Sequence, residues 1–386
     1  MKKIRWDLIG WFAAGFIIMQ LFTCVELKAQ TFQQVGDYPY VVTQVKYDSS
    51  GNEYVIRQQG SIHKNGDTLR VFPVQFVNEC GLVGFELYPN GFFLHISGQD
   101  SVQRVIRYDT LLNELDTIVE VPYKTPFSSR HRGGGVFLQD SLLYCSFGYG
   151  AFGPDAQDLT DYRGKLIKIN LNTTVTDIVA FGLRNPYRFD FNPSRNEGFI
   201  SDPGTNISEE VNYFTGYYSL LNMGWPCYED TILLLDPDTL CSGYSYSFPE
   251  YSYNQNPHRS IIGGCFFGDN YYFTDYHTGF GGYLDTNWVF HQLPIPFPEG
   301  VTSMAINPVT NTLRVSTWDG NIFEYLEPPL SINEEVEEEI IYPCRTCYNL
   351  YIDILGRKWS EPPVGIAFWA IKNSIVQQNL QYIFAY

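Results

Sequence analysis

The sequence predicts an all-β chain: a six-bladed β-propeller followed by a small β-rich C-terminal module. Three observations carry this. Aromatic residues make up 17% of the 386 residues, with 29 Tyr and 28 Phe, while Met numbers only 4. There are 33 Gly and 22 Pro, so short aromatic strands and tight turns are favoured over helices. Third, one unit recurs along the chain: an apolar strand, a turn rich in Pro, Asn, Asp or Gly, and a second aromatic strand.

The unit can be followed in order. Leu82–Leu87, Pro89-Asn90-Gly91 and Phe92–Ile96 form one copy. Val136–Leu138, Gln139-Asp140-Ser141 and Leu142–Cys145 form the next. Tyr187–Phe191 and Glu197–Ser201 flank Asn192 to Asn196. Gly263–Phe267 and Tyr271–Asp275 flank Gly268-Asp269-Asn270. Ser303–Ile306 and Thr312–Ser316 flank Asn307 to Asn311. Counting one N-terminal unit, six blades are expected at a spacing of about 40–55 residues, with one longer gap around Trp225–Tyr253, as in four-stranded propeller blades. A sandwich is the competing architecture. A propeller closes by pairing its N- and C-terminal strands, which removes exposed edges.

The flanks read differently. Residues 1–30 are expected to be a signal peptide: Lys2, Lys3 and Arg5, an apolar run from Leu8 to about Phe22, and Lys28-Ala29-Gln30 at the end. The alternative is a single membrane anchor, but Gly10 and Gly15 interrupt the run, which falls short of the ~20 residues of a span. Cys24 lacks the small residues of a lipoprotein acceptor before it. The propeller is expected over 31–327, an acidic linker over 328–340 (Asn333 to Glu339), and the small module over 341–386. The expected location is exported, with no membrane span after signal cleavage. Net charge is −17, and no Lys/Arg cluster follows the first residues, so nucleic acid is excluded as a partner. Export permits disulfides, and Cys227 with Cys241 is the best candidate pair. Cys344-Arg-Thr-Cys347 has no second Cys or His pair and predicts no zinc site.

Three clusters could carry chemistry. Arg184-Asn185-Pro186 puts a fork of donors and an amide just before a strand, suited to planar oxygens. Asp202, Glu209 and Glu210 supply hard oxygens beside the Gly204 turn, a composition compatible with Ca²⁺, although the EF-hand pattern is absent. His131 lies between Arg130 and Arg132 before Gly133-Gly134-Gly135, where positive neighbours favour the neutral base.

Together these motifs resemble the soluble quinoprotein glucose/sorbosone dehydrogenase family, which includes the aldose sugar dehydrogenases. Asn78 to Asn90 is similar to the family's Glu-x-Gly-Leu-Leu-Gly-x-Ala-Phe-His-Pro segment. His131-Arg132-Gly133-Gly134 is similar to its His-Asn-Gly-Gly, and Gly164 to Asn170 to its Gly-Lys-Ile-Leu-Arg-Ile-Asn. Gly182–Phe189, Asp202–Asn212, Gly224–Glu229 and Trp318–Phe323 follow in family order.

The resemblance implies a six-bladed propeller binding pyrroloquinoline quinone (PQQ) and Ca²⁺ and oxidising the C1 hydroxyl of an aldose, a small-molecule sugar. By it, His131 is the general base and Arg184 and Asn185 hold the quinone oxygens. Glu79 lies at the cofactor rim. Gly204, with Thr205 beside it, meets the cofactor and offers a carbonyl to Ca²⁺, while Glu210 and Glu209 serve a structural Ca²⁺. The electron acceptor is left open. Arg130 stands where the family often has Asp, and late in the propeller only Arg259 and Arg314 remain to meet the cofactor's carboxylates.

Two other functions compete. One is a non-catalytic extracellular propeller binding glycans or partner proteins. The other is a propeller hydrolase, for which no Gly-x-Ser-x-Gly elbow is present. The C-terminal Tyr351 to Lys358 segment resembles the sorting modules of type-nine secretion cargo, against the alternative of a plain β-hairpin appendage.

Overall fold

The computed structural model describes residues 30–326, except 39–40, 124–128, 151–152, 218–219, 236–240, 242–244 and 257, together with four short strands beyond residue 350. The expected signal peptide, acidic linker and Cys344–Cys347 pair lie outside the described residues. By internal contacts the chain divides into Met1–Pro329 and Leu330–Tyr386.

The first unit is a six-bladed propeller. Blade 1 pairs Val42–Tyr47, Glu53–Arg57, Ser61–Lys64 and Asp67–Val71, and blade 2 pairs Leu82–Tyr88, Gly91–Ser97, Val102–Asp109 and Glu114–Pro122. Blade 3 holds Gly133–Gln139, Leu142–Phe147, Lys165–Asn170 and Thr176–Phe181, extended by Leu221–Asn222. Blade 4 holds Arg188–Asn192, Glu197–Asp202, Ser208–Thr215 and Tyr251–Asn254. Blade 5 runs from Ile261–Phe267 through Asn270–Asp275 and Gly281–Leu284 to Phe290–Gln292. Blade 6 uses Val301–Asn307, Thr312–Thr317 and Asn321–Leu326, and its outermost strand is the N-terminal Thr31–Asp37. The expected closure is therefore present, the N-terminal strand completing the last blade beside the C-terminal strand of the propeller.

The five sequence repeats are the first two strands of blades 2 to 6. This follows from burial: first strands pack against one another around the axis, so they are the most regularly apolar. The first strands of successive blades touch in a closed circle, blade 6 meeting blade 1. Six apolar clusters fill the blade interfaces, for example Tyr54, Ile56 and Ile62 against Leu82, Phe85 and Leu94. Most aromatic side chains are spent here, as in the Tyr144–Phe191–Phe214 group. Near the axis the backbones come too close for side chains. A Cβ on Gly84 would sit 1.9 Å from the Gly134 carbonyl.

Arg188 crosses the axis. Its fully buried guanidinium donates from blade 4 to the carbonyls of Thr43 in blade 1 and Val83 in blade 2 (2.9 Å to Val83), with Tyr187 O at 3.0 Å.

In the second unit, Tyr351–Asp353 pairs with Lys358–Trp359 and with Phe368–Ala370, which pairs with Tyr382–Ile383. Among the described residues no helix is long and apolar enough to cross a membrane.

Candidate active site

Topology brings the predicted residues to one end of the propeller. Glu79, His131 and Arg184-Asn185 lie in the loops entering the first strands of blades 2, 3 and 4. The Asp202–Ser208 loop joins the second and third strands of blade 4. An antiparallel second strand ends where the first began, so this loop reaches the same end.

Glu79 and Asp202 organise the cluster. His131 adopts a left-handed φ of 57°, and its N–H donates to Glu79 Oε2 at 2.6 Å. Asn185 Nδ2 reaches the same oxygen at 3.4 Å, while its Oδ1 accepts from Gly133 N at 2.9 Å. The Arg184 and Asn185 N–H groups donate to the two Asp202 oxygens at 2.7 and 2.5 Å. The Arg184 side chain then reaches out, Nη1 to Pro203 O at 3.0 Å and Nη2 to His131 Nε2 at 3.2 Å. Tyr149 stacks on the imidazole with centroids 5.3 Å apart, and Trp225 meets Tyr149 edge-on at 5.5 Å.

Electrostatics fixes the protonation of His131. Burial first, then the Arg184 and Arg130 charges, hold it at about 3. The imidazole is therefore neutral at pH 7. Because Arg184 donates to Nε2, the proton belongs on Nδ1. Burial raises the Glu79 carboxyl, opposed by the His131 N–H and Arg184. Burial likewise lifts Asp202 to about 6. Among the described residues, three buried nitrogens in this cluster have no hydrogen-bond partner: His131 Nδ1, Arg184 Nε and Trp225 Nε1. Each is a donor that a water or a polar ligand can satisfy.

The remaining predicted residues are placed differently. Glu209 and Glu210 are neighbours on one strand and face opposite ways. Gln255 Nε2 donates both to Gly204 O at 3.1 Å and to Glu209 Oε1 at 2.7 Å, so a protein amide sits between those oxygens. Glu209 Oε2 accepts from Ile261 N at 2.6 Å. Glu210 turns away, to Asp230 N at 2.5 Å and Asn212 Nδ2 at 3.2 Å. Gly204, Glu209 and Glu210 are thus not gathered around one cation. Among the described residues no group of three or more His, Cys, Asp and Glu is set to hold a metal. Thr205 is exposed and gives its N–H to Glu229.

Of the late cations, Arg314 is paired with Glu324 at 3.1 Å. Arg259 enters blade 5 at the site's end of the ring and lies over Tyr253 and Phe280. Cys227 and Cys241 form the expected disulfide, and Cys80, Cys145 and Cys265 are buried thiols.

Sequence reading missed Tyr149, Gln255 and the role of Glu229. Tyr149 carried no signal beyond one aromatic among many. Glu229 closed the Gly-Trp-Pro motif and so was visible, but its partner loop was not.

No family model matches the chain. Among curated proteins, the HIPL2 protein of Arabidopsis thaliana is 29% identical over 191 residues, 38% of this chain and 27% of its own length. HIPL1 from the same plant is 27% identical over 187 residues, 37% of this chain. The chain thus matches about a quarter of the length of these two relatives. Among solved structures, the PQQ-bound aldose sugar dehydrogenase of Streptomyces coelicolor aligns with TM-score 0.62 at 17% identity, covering 77% of this chain and 98% of that one. The soluble aldose sugar dehydrogenase of Escherichia coli, in its apo-form, aligns with TM-score 0.59 at 16% identity, covering 78% and 100%. This chain has the six-bladed propeller fold of those sugar dehydrogenases.

Proposed function

We propose that the chain is an exported PQQ-dependent sugar dehydrogenase acting on the C1 hydroxyl of an aldose. The observation that carries this is the convergence of Glu79, His131, Arg184 and Asn185 at one end of the propeller, in a cluster where three buried nitrogens have no partner among the described residues. Those nitrogens, the Arg184 charge and the Tyr149–Trp225 aromatic faces suit a flat, anionic quinone. When bound, PQQ supplies the hydride acceptor. Arg184 would hold its oxygens and Glu79 would hold the His131 backbone at the rim. Asn185 would act through its brace to Gly133 and Glu79. His131, neutral at pH 7, would take the hydroxyl proton as C1 gives up hydride and the C1–O bond becomes a carbonyl. The disulfide supports export to an oxidising compartment.

Calcium is not part of the proposal. The Gln255 amide occupies the gap between Gly204 O and Glu209, and Glu210 is bound elsewhere.

One observation favours the non-catalytic reading. His131 Nδ1 has no acceptor to orient it, and Arg130 stands beside it. Recognition of a glycan or partner protein needs no such acceptor. The test is reconstitution of the purified protein with PQQ, following dye reduction over an aldose panel. Dye reduction that disappears in His131→Ala supports the dehydrogenase. Absence of PQQ binding by calorimetry removes it and leaves the recognition propeller.

A further inference from the structure

Between the third and fourth strands of blade 4 the chain makes a long excursion that includes Gly224–Cys241. Within it, Tyr228–Glu229 pairs with Ile232–Leu233, and the Cys227–Cys241 disulfide closes the base. Glu229 leaves this excursion and is 2% exposed. Its Oε1 accepts four consecutive backbone N–H groups, from Thr205, Asn206, Ile207 and Ser208, at 2.8, 3.2, 2.9 and 2.9 Å. Such a nest of amides attracts an anion, and here the anion comes from the protein itself. Gly204 makes the approach possible, because a Cβ there would lie 2.3 Å from that oxygen.

The clamped loop begins at Pro203, whose carbonyl holds Arg184 Nη1. The same short stretch carries Trp225, whose ring lies 5.6 Å from the Arg184 guanidinium carbon. Arg184 is therefore held from two sides by residues 225–229, once by a ring face and once through the loop that Glu229 fixes. Arg184 in turn sits on His131 Nε2.

We propose that Glu229 is a positioning residue for the Arg184–His131 pair, coupling the disulfide-closed excursion to the site. Glu229 meets neither partner directly. It fixes the Pro203–Ser208 loop, the loop aims Arg184, and Arg184 sets the tautomer and charge of His131. The inference rests on the proposed cofactor reading for its affinity test but not for its imidazole test.

The variant is Glu229→Gln, which keeps an acceptor of the same shape and loses the charge that strengthens all four bonds. The first readout is the His131 imidazole, titrated by nitrogen-15 NMR and assigned with His131→Asn. In the wild type it stays neutral to pH 5. In Glu229→Gln its midpoint is expected to rise above the wild-type value. The second readout is PQQ affinity, expected to fall about tenfold, as for other residues that orient a binding group from behind. In an Arg184→Ala background, Glu229→Gln should change affinity no further, since its effect passes through Arg184. A lower thermal midpoint with the His131 midpoint unchanged from wild type would overturn the proposal and leave Glu229 a purely structural clamp. An additive affinity loss in the Arg184→Ala background would also overturn it. If the wild type binds no PQQ, the cofactor reading fails and the imidazole titration alone decides the role of Glu229.

Discussion

Glu210→Gln should make the protein more stable as pH rises. Glu210 is buried beside the Asp202 and Glu229 carboxylates. Burial, then Asp202, push its carboxyl from 4.5 to about 8. The folded state then holds a proton that the unfolded chain has released. Protons bound in the native state exceed those bound unfolded between the two values, so this group's contribution falls as pH rises from about 4.5 to about 8. At 1.36 kcal/mol per unit of separation, the loss between pH 5 and pH 8 is about 3 kcal/mol. Glutamine reproduces the protonated acid. Its carbonyl can accept from Asp230 N, and its amide can donate to Asn212 Oδ1, which is buried without a partner, once the Asn212 amide is turned over. Urea unfolding of both proteins at pH 5, 6, 7 and 8 gives the comparison. The difference should grow with pH, with the variant ahead by about 3 kcal/mol more at pH 8 than at pH 5. Parallel curves across that range would refute the assignment of a retained proton to Glu210.

Two further predictions concern the cations. Arg188→Met removes the donor to the Thr43 and Val83 carbonyls across the axis and should cost about 2–6 kcal/mol by denaturant midpoint, at about 1–3 kcal/mol per buried acceptor left unpaired. Arg314→Ala should leave PQQ affinity unchanged by calorimetry, because Arg314 is engaged with Glu324 within its own blade.

The fold was legible because propeller strands near the axis are buried on both faces, so their apolar runs and turn residues recur at each blade. Outer strands vary far more in burial, from the fully exposed Asp67–Val71 to the almost wholly buried Ser208–Thr215, and no repeat marked them. The candidate site was legible in part for a related reason. Glu79, His131 and Arg184 occupy equivalent entry loops before successive first strands, so recognising the blades implies their convergence. Glu229 and Gln255 were hidden because they belong to no repeat. They act on a loop some 21 to 51 residues away in sequence. The placement of the two glutamates turns on a finer point. Alternation along a strand sends adjacent Glu209 and Glu210 to opposite faces, which composition near a glycine turn cannot reveal.

The choice between catalysis and recognition comes down to one lone pair. A general base needs a free nitrogen, yet Arg184 donates to His131 Nε2 and the proton stays on Nδ1. The dehydrogenase reading therefore requires Arg184 to leave Nε2 when it engages an anionic cofactor. That release has a measurable consequence. Arg184 is the larger of the two charges that hold His131 at about 3. With the guanidinium charge offset by an anionic cofactor, one of the two charges that lower His131 is removed while burial still lowers it, so its midpoint rises above the wild-type value and any proton uptake on binding appears at acid pH. Nitrogen-15 NMR of the imidazole with and without PQQ reads this release, with calorimetric titration in buffers of different ionisation heats reading any uptake, which should vanish in His131→Asn. Cofactor binding that leaves the nitrogen-15 shift of Nε2 that of a hydrogen-bonded acceptor would mean that Arg184 stays on it. His131 would then have no lone pair to offer a sugar hydroxyl, and the recognition reading would be the one left standing.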